Sequence, residues 1–195
     1  MNDSEHADLV EAIRTLHREK NAAYRDAWKK RGEVISILAN LARKVDRLEY
    51  VLDGASDGSE SIVDTAVDLL VYCLKYEAFL ADLDADVALR LFGSSSTLGH
   101  PYSDGNGGFE HLLDSLHPSD FEAAANLGQA AAELIICFNN LEACFSGVDT
   151  ARTALVRFEH AQQLTITTTH LLGLLRQQHG SSFRCFQDSQ LEKDV

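Results

Sequence analysis

The sequence predicts an all-α protein, built as a helical bundle of about five main helices. Apolar residues recur every three or four positions through most of the chain, which places them on one face of a helix. The two prolines, Pro101 and Pro118, both fall between these periodic stretches, where they interrupt no helix. Hydrophobic residues make up 45% of the 195 residues, which is enough to fill a sizeable core.

The first half of the chain is predicted to contain three helices within one unit, residues 1–92. Gly32 separates the first two helices, and a cluster of turn-forming residues at 53–59 separates the second from the third. The predicted ranges are about 4–29, 33–52 and 60–80, the last continuing to about 91 with a break near Asp82 or Asp84.

The second half is predicted to hold fewer and longer elements. The predicted segments are a flexible linker or loop at 93–108, a short helix at 109–116, long helices at 119–145 and 148–178, and a polar tail at 181–195. Ser119 is the expected cap of the first long helix. The β-branched run Thr165–Thr169 has low helix propensity, but the period on either side of it is helical. Residues 109–180 should pack on the first unit or extend the bundle.

Charge and cysteine content exclude several classes of protein. A formal net charge of −13 argues against general nucleic-acid binding, which needs a basic face. Most basic residues lie in the first half, so a local anion site remains open there. The four cysteines form no C-x-x-C pair, which argues against a zinc site or a disulfide framework. Because no apolar run reaches the ~18 residues of a membrane span and the polar N-terminus lacks a signal-peptide core, we expect no membrane partner and a cytoplasmic location.

Polar residues from the three helices of the first half should meet, because short turns join these helices. In an antiparallel hairpin, residues at the same level have numbers with a roughly constant sum. With turns centred near residues 31 and 56, this arithmetic places one group of side chains at a single level of the bundle. The group consists of Lys20, Arg43, Lys44, Asp64 and Asp68.

Such a group has two interpretations. In the first, carboxylates of the third helix hold Mg²⁺, bases bind phosphate oxygens, and an aromatic ring stacks on the base of a nucleotide. The residues concerned are Glu60, Asp64 and Asp68 for the metal, Lys20, Lys44 and Arg47 for the phosphate, and Tyr24 or Trp28 for the base. In the second, the charged side chains form ordinary ion pairs between helices, such as Lys44–Asp68, and the aromatic rings belong to the core.

The same segments resemble a known family. The motifs are K-x3-Y-x3-W at Lys20–Trp28, K-x2-R-L at Lys44–Leu48, and E-S-I-x-D-T-x2-D-L-x2-Y at Glu60–Tyr72. They are similar to the nucleotide modification associated domain 1 family, which is related to the MazG and dimeric dUTPase type of all-α nucleoside triphosphate pyrophosphatases. The resemblance covers about residues 8–82. It implies a four-helix core, often completed by dimerisation, and Mg²⁺-dependent cleavage of a nucleotide to a monophosphate and pyrophosphate.

The resemblance also implies roles for individual residues. Glu60, Asp64 and Asp68 match the acidic, metal-binding helix of these enzymes, with Asp64 and Asp68 as the catalytic residues. The partner helix departs from the family pattern, because Arg43 and Lys44 stand where the pyrophosphatases carry an E-E-x-x-E cluster. This departure predicts one metal ion or none.

The sequence therefore predicts a nucleotide-binding protein similar to these hydrolases, with Mg²⁺ as its cofactor and a homo-oligomeric assembly. The alternative is a catalytically inactive helical module that serves interaction or assembly. Binding of Mg²⁺ separates the two, because the enzyme should bind the ion through Asp64 and Asp68 and the module need not.

Overall fold

The computed structural model describes residues 1–52, 61–94, 98–122, 126–146 and 153–192, and within these ranges every regular element is a helix. The predicted all-α fold is thus confirmed. The helices are α1 (Asp3–Tyr24), α2 (Ala39–Leu52), α3 (Ile62–Leu83), α4 (Ala85–Phe92), α5 (Gly107–Asp114), α6 (Leu127–Glu142), α7 (Ala154–Gln178) and α8 (Gly180–Leu191). Glu60 and the predicted turn at 53–59 lie outside the described residues.

Local signals set both ends of α1. The Asn2 side chain accepts a hydrogen bond from the Glu5 backbone N–H, and the Glu5 carboxylate accepts one from the Asn2 backbone N–H, at 2.9 and 3.1 Å. At the other end Arg25 has a φ of 45°, which a helix cannot continue through. The helix predicted to reach residue 29 therefore ends at Tyr24. A 3-10 turn, Arg25–Trp28, follows and buries the Trp28 ring.

The second predicted helix begins as a π-helical turn rather than an α-helix. Gly32, with a φ of 82°, redirects the chain, and Glu33–Leu38 then form the π-turn that leads into α2. Turns of this kind are rare in proteins and occur frequently near functional sites.

α3 is the central helix of the fold, and most of its side chains are buried. It ends at Leu83, and the Asp84 carboxylate caps α4 by accepting hydrogen bonds from the Asp86 and Val87 backbone N–H groups. The predicted break near Asp84 is confirmed.

The C-terminal half differs from the prediction at its start. The helix expected at 119–145 is divided into a 3-10 turn, Pro118–Phe121, followed by α6. Asn126, not Ser119, caps α6, because its side chain accepts a hydrogen bond from the Gln129 backbone N–H at 2.9 Å. The threonine run Thr165–Thr169 is helical as predicted, within α7.

The polar tail predicted from residue 181 is wrong, because Gly180–Leu191 form α8. Phe183, Phe186 and Gln190 recur at helical spacing on its buried face, and α8 packs against α1. The many serine and glutamine residues around these three positions lower the mean hydropathy of the segment. Composition alone therefore does not indicate that the segment forms an amphipathic helix.

Helices from both halves of the chain share one hydrophobic core. α7 packs along α3 and α6, and α2 packs against both α3 and α6. α7 also approaches the 3-10 turn at Pro118–Phe121 so closely that a Cβ atom at Gly173 would lie 1.8 Å from the Phe121 carbonyl oxygen. Among the described helices, none combines the length and apolar character that crossing a membrane requires.

Candidate functional site

A cavity of about 500 Å³ lies where the C-terminal end of α1, the 3-10 turn after it, α2 and α3 converge. We call it the cationic pocket. Its lining includes His17, Lys20, Tyr24, Arg25, Trp28, Asn40, Arg43, Lys44, Asp68, Tyr72 and Lys75. Five of these side chains carry a positive charge and one carries a negative charge, although the whole chain has a formal charge of −13. The local field therefore favours an anion.

Asp68 is the single carboxylate of the pocket lining, and it bridges two lysines. It is 8% exposed, and its Oδ2 lies 2.8 Å from Lys44 Nζ. Its Oδ1 accepts a hydrogen bond from Lys20 Nζ. The Lys44–Asp68 pair is the one that hairpin geometry predicts, so this part of the arrangement is confirmed. Asp68 holds both ammonium groups at the pocket wall but neutralises only one charge.

Lys75 lies about two helical turns beyond Asp68 on α3 and was not among the predicted site residues. It is 9% exposed, and no described carboxylate lies within 4 Å of its ammonium group. The group sits over the Trp28 ring, 4.6 Å from the ring centroid. Burial lowers the pKa of Lys75 to about 8, and the charges of Lys29 and Lys20 act in the same direction against the opposing effect of Asp26.

His17 is the second buried polar group that the sequence analysis missed. It is 1% exposed and stacks on Phe109, with ring centroids 3.8 Å apart. No described residue forms a hydrogen bond with either of its ring nitrogens. Burial lowers its pKa to about 3, and the charges of Lys75 and Arg18 add to the effect. The imidazole is therefore neutral at pH 7, and both of its ring nitrogens are buried.

Two aromatic residues border the pocket, in different ways. Trp28 is 7% exposed and forms part of the wall, so its ring belongs to the core and to the pocket at once. Tyr24 is 70% exposed and stands at the rim, where a planar ligand could stack on it. Arg25 stands beside it on a backbone conformation that costs energy in a non-glycine residue, a feature that clusters at binding sites.

A second depression continues from this rim, and we call it the adjoining groove. It shares Tyr24, Arg25 and Ala27 with the cationic pocket. Its other walls come from Asp26, Lys29, Lys30, Phe79, Asp82, His100, Pro101 and Ser103. Asp82 fixes the loop of this groove to α3 by accepting hydrogen bonds from the Tyr102 and Ser103 backbone N–H groups, at 2.6 and 3.1 Å. The pocket and the groove together can accommodate a ligand with an anionic end and a larger planar part.

Two predicted site residues, Asp64 and Arg47, lie apart from the cationic pocket. Asp64 lines a separate shallow depression together with Ser61 and residues of α8. Arg47 is half-buried on α2, one turn beyond Lys44, and does not contribute to the pocket lining. Glu60 lies outside the described residues. The predicted single cluster is therefore present around Asp68 but does not include Asp64.

The described carboxylates do not fit a magnesium site. Mg²⁺ needs carboxylate oxygens that are free to ligate it, whereas both oxygens of Asp68 are engaged by ammonium groups and Asp64 faces a different depression. No group of three or more His, Cys, Asp or Glu side chains with suitable spacing occurs among the described residues. The magnesium ion expected with Glu60 stays a prediction.

The sequence contains a signal for Lys75 that could have been used. The segment Leu69–Leu80 is apolar except for two ionisable side chains of opposite charge, Lys75 and Glu77, and a tyrosine pair. Charged residues within an apolar run are rarely buried unless they have a partner or a role.

Comparison of the chain with family models, with curated proteins and with solved structures found no match.

Proposed function

We propose that this protein binds a nucleoside phosphate, with the phosphate in the cationic pocket and the base at Tyr24 and the adjoining groove. The observation that carries the proposal is Lys75, a buried ammonium group without a described carboxylate partner that lines a cavity already rich in positive charge. Burial of such a group is costly for the fold, and a phosphate oxygen is the partner that would compensate it.

The geometry of the pocket supports a phosphate rather than a simple carboxylate or chloride. Lys20, Lys44 and Lys75 line the pocket from α1, α2 and α3, so a ligand with several anionic oxygens can contact more than one of their ammonium groups. Arg43, on the same wall, can form paired hydrogen bonds with two phosphate oxygens.

The proposal predicts binding that depends on the phosphate groups. Calorimetric titration should detect adenosine 5′-diphosphate and 5′-triphosphate, whereas adenosine should bind much more weakly or not at all. The affinity should fall as salt is added, because screening weakens the interaction with the charged groups. Equal binding of nucleoside and nucleotide, or no binding of any nucleotide, would overturn the proposal.

Matched variants locate the binding. Lys75→Met should weaken nucleotide affinity at least tenfold, because it removes the unpaired ammonium and retains a side chain of similar length. Arg184→Met removes an exposed charge on α8, away from the pocket lining, and should leave the affinity within about twofold. An equal effect of the two substitutions would indicate a general charge effect and not a site.

Asp68 distinguishes binding from the pyrophosphohydrolysis that the family resemblance implies. As a counter-ion of Lys20 and Lys44 it competes with phosphate, so Asp68→Asn should strengthen nucleotide binding. As a metal ligand it would attract Mg²⁺, and Asp68→Asn would then abolish Mg²⁺-dependent release of pyrophosphate. The measurements are nucleotide affinity and pyrophosphate release, each with and without Mg²⁺, on the wild type and the variant.

A further inference from the structure

A second cavity lies on the other side of α3, and its charge is opposite to that of the cationic pocket. It has a volume of about 370 Å³ and is enclosed by α3, α4, α5, α7 and the segment between α5 and α6. Its apolar walls come from Leu74, Leu91, Leu112, Leu116 and Ile166, and its polar lining from Glu77, Ser115, Ser119, Asp120, Gln162, Thr165, Thr169 and His170. No described lysine or arginine lines it, so we call it the acidic cavity.

Glu77 lies at the inner end of this cavity. It is 4% exposed, whereas Ser115, Ser119 and Gln162 are exposed and mark the mouth. The carboxyl group interacts with the Thr165 hydroxyl, and no described cation lies within 4 Å of it. A buried carboxylate without a cation is expensive, so such groups stay protonated or receive a positive charge from elsewhere.

The Thr165 hydroxyl does not supply the missing charge. Its single proton can go either to Glu77 or to the Ala161 carbonyl oxygen, which lies 3.1 Å away. When the hydroxyl donates to Glu77 Oε1 it supplies one hydrogen bond but no positive charge. The other carboxyl oxygen has no described cationic partner in the cavity.

We propose that the acidic cavity binds an organic amine with an apolar body, and that its ammonium group pairs with Glu77. The leucine and isoleucine side chains provide the surface for the apolar body, and Asp120 near the mouth adds a second negative charge that favours a cation over an anion. This ligand is of opposite charge to the nucleoside phosphate and occupies a different cavity, so the two proposals stand or fall separately.

The acid–base state of Glu77 gives the proposal a pH dependence. Burial raises the pKa of Glu77 to about 7, and the Thr165 hydrogen bond opposes this only in part. An ammonium ligand binds the ionised carboxylate, so its affinity should fall as pH drops below 7 and Glu77 takes up a proton. The other titratable side chains close to Glu77 are Cys73 on α3, His170 on α7 and Asp120.

The test uses three probes of equal chain length: hexylamine, 1-hexanol and hexanoate. Calorimetric titration of the full chain at pH 8 should detect hexylamine, with hexanol at least tenfold weaker and hexanoate weaker still. The affinity for hexylamine should be roughly 30-fold lower at pH 5.5 than at pH 8, as for one proton on a group of pKa about 7. Hexanol that binds as well as hexylamine would overturn the proposal.

Variants assign the effect to Glu77. Glu77→Gln keeps the size of the side chain and removes its charge, so it should abolish the preference for hexylamine over hexanol. Glu133→Gln, at an exposed position on α6, is the matched control and should change nothing. His170→Gln should leave the pH dependence in place, which excludes His170 as its source.

A measurement on the wild type keeps the proposal testable if Glu77→Gln does not fold. Hexylamine binding at pH 6.5 should release protons from Glu77, and the observed enthalpy should therefore change between buffers of different ionisation enthalpy. At pH 8.5 this release should vanish. Binding without proton release at pH 6.5 would overturn the pairing with Glu77.

Discussion

Burial of an ionisable side chain costs free energy of folding, and Lys75 is an example. In the folded protein its pKa is about 8, whereas the pKa of an unperturbed lysine is 10.5. The folded state thus holds the charged form less readily than the unfolded chain does. Below pH 8 both states are protonated and the penalty is complete, and between pH 8 and 10.5 the penalty disappears as the folded protein loses the proton first.

Replacing Lys75 by Met should therefore stabilise the protein. At pH 7 the free energy of unfolding should rise by on the order of 3 kcal/mol, which is the equivalent of the pKa shift. The difference between variant and wild type should shrink as the pH rises from 8 towards 10.5. Urea unfolding at pH 7 and pH 10 measures both effects, with Arg184→Met as control. A variant that is less stable than the wild type at pH 7 would show that Lys75 stabilises the fold.

His17 should make the stability of the fold depend on pH in the acidic range. Its pKa falls from 6.5 to about 3 on folding, so between these values the unfolded chain binds a proton that the folded protein does not. The contribution of this one residue should therefore lower the free energy of unfolding by about 1.4 kcal/mol for each unit by which the pH decreases within this range.

The variant His17→Phe should lack this contribution and keep a ring against Phe109. The expected result is a shallower decline of unfolding free energy between pH 6 and pH 4 than in the wild type, whatever the offset caused by repacking. Urea unfolding at a series of pH values gives the two slopes. Parallel slopes would mean that His17 binds its proton equally in the folded and unfolded states.

At the scale of helices, two glycines give a matched pair of substitutions. A Cβ atom at Gly173 in α7 would lie 1.8 Å from the Phe121 carbonyl oxygen, whereas at Gly128 in α6 the nearest atom would be Asn126 Oδ1 at 3.6 Å. Gly128→Ala should stabilise the protein by up to about 1 kcal/mol, because alanine is the better helix former. Gly173→Ala should destabilise it by about 2–4 kcal/mol, because backbone must move.

Thermal or urea unfolding of the two alanine variants measures these opposite signs. The comparison is internally controlled, since the chemical change is the same and both glycines lie within α-helices. A stabilising Gly173→Ala would mean that α7 and the Pro118–Phe121 turn are not in contact.

The elements that periodicity and short turns determine were predictable, and those that depend on distant packing were not. The break at Asp84 and the pairing of Lys44 with Asp68 follow from local spacing, because a capping residue and a hairpin act over a few turns. α8 could not be predicted in the same way. Its short apolar face is stable only because α1 lies against it.

The same distinction applies to the candidate site. Lys20, Lys44 and Asp68 lie on helices joined in sequence, so arithmetic brings them together. Lys75 and His17 are polar residues on otherwise buried faces. The apolar run around Lys75 indicates its burial, but the sequence does not show which groups surround Lys75 and His17 until the packing of the helices is known. The prediction that Asp64 joins this cluster is wrong for a related reason. Its side of α3 faces α8, a helix that the sequence analysis did not predict.

At the scale of the whole molecule, α3 separates two cavities of opposite charge. Lys75 and Glu77 are two positions apart, which turns their side chains to nearly opposite faces of the helix. One faces the cationic pocket and the other the acidic cavity. Because both sit on one rigid central helix, a ligand in either cavity should stabilise the same folding unit by mass action.

That unit spans both halves of the chain, which leads to the final prediction. Core residues of α1, α2 and α3 contact those of α6, α7 and α8, so the protein should unfold in one cooperative transition. Trp28, the single tryptophan, is buried in the first half, whereas circular dichroism follows all helices. The two signals should share one urea midpoint. If Trp28 fluorescence changed at a lower urea concentration than the dichroism, the halves would be separate folding units. A midpoint that rises with protein concentration would in addition support the homo-oligomer implied by the family resemblance, since assembly stabilises the folded state by an amount that grows with the logarithm of the protein concentration.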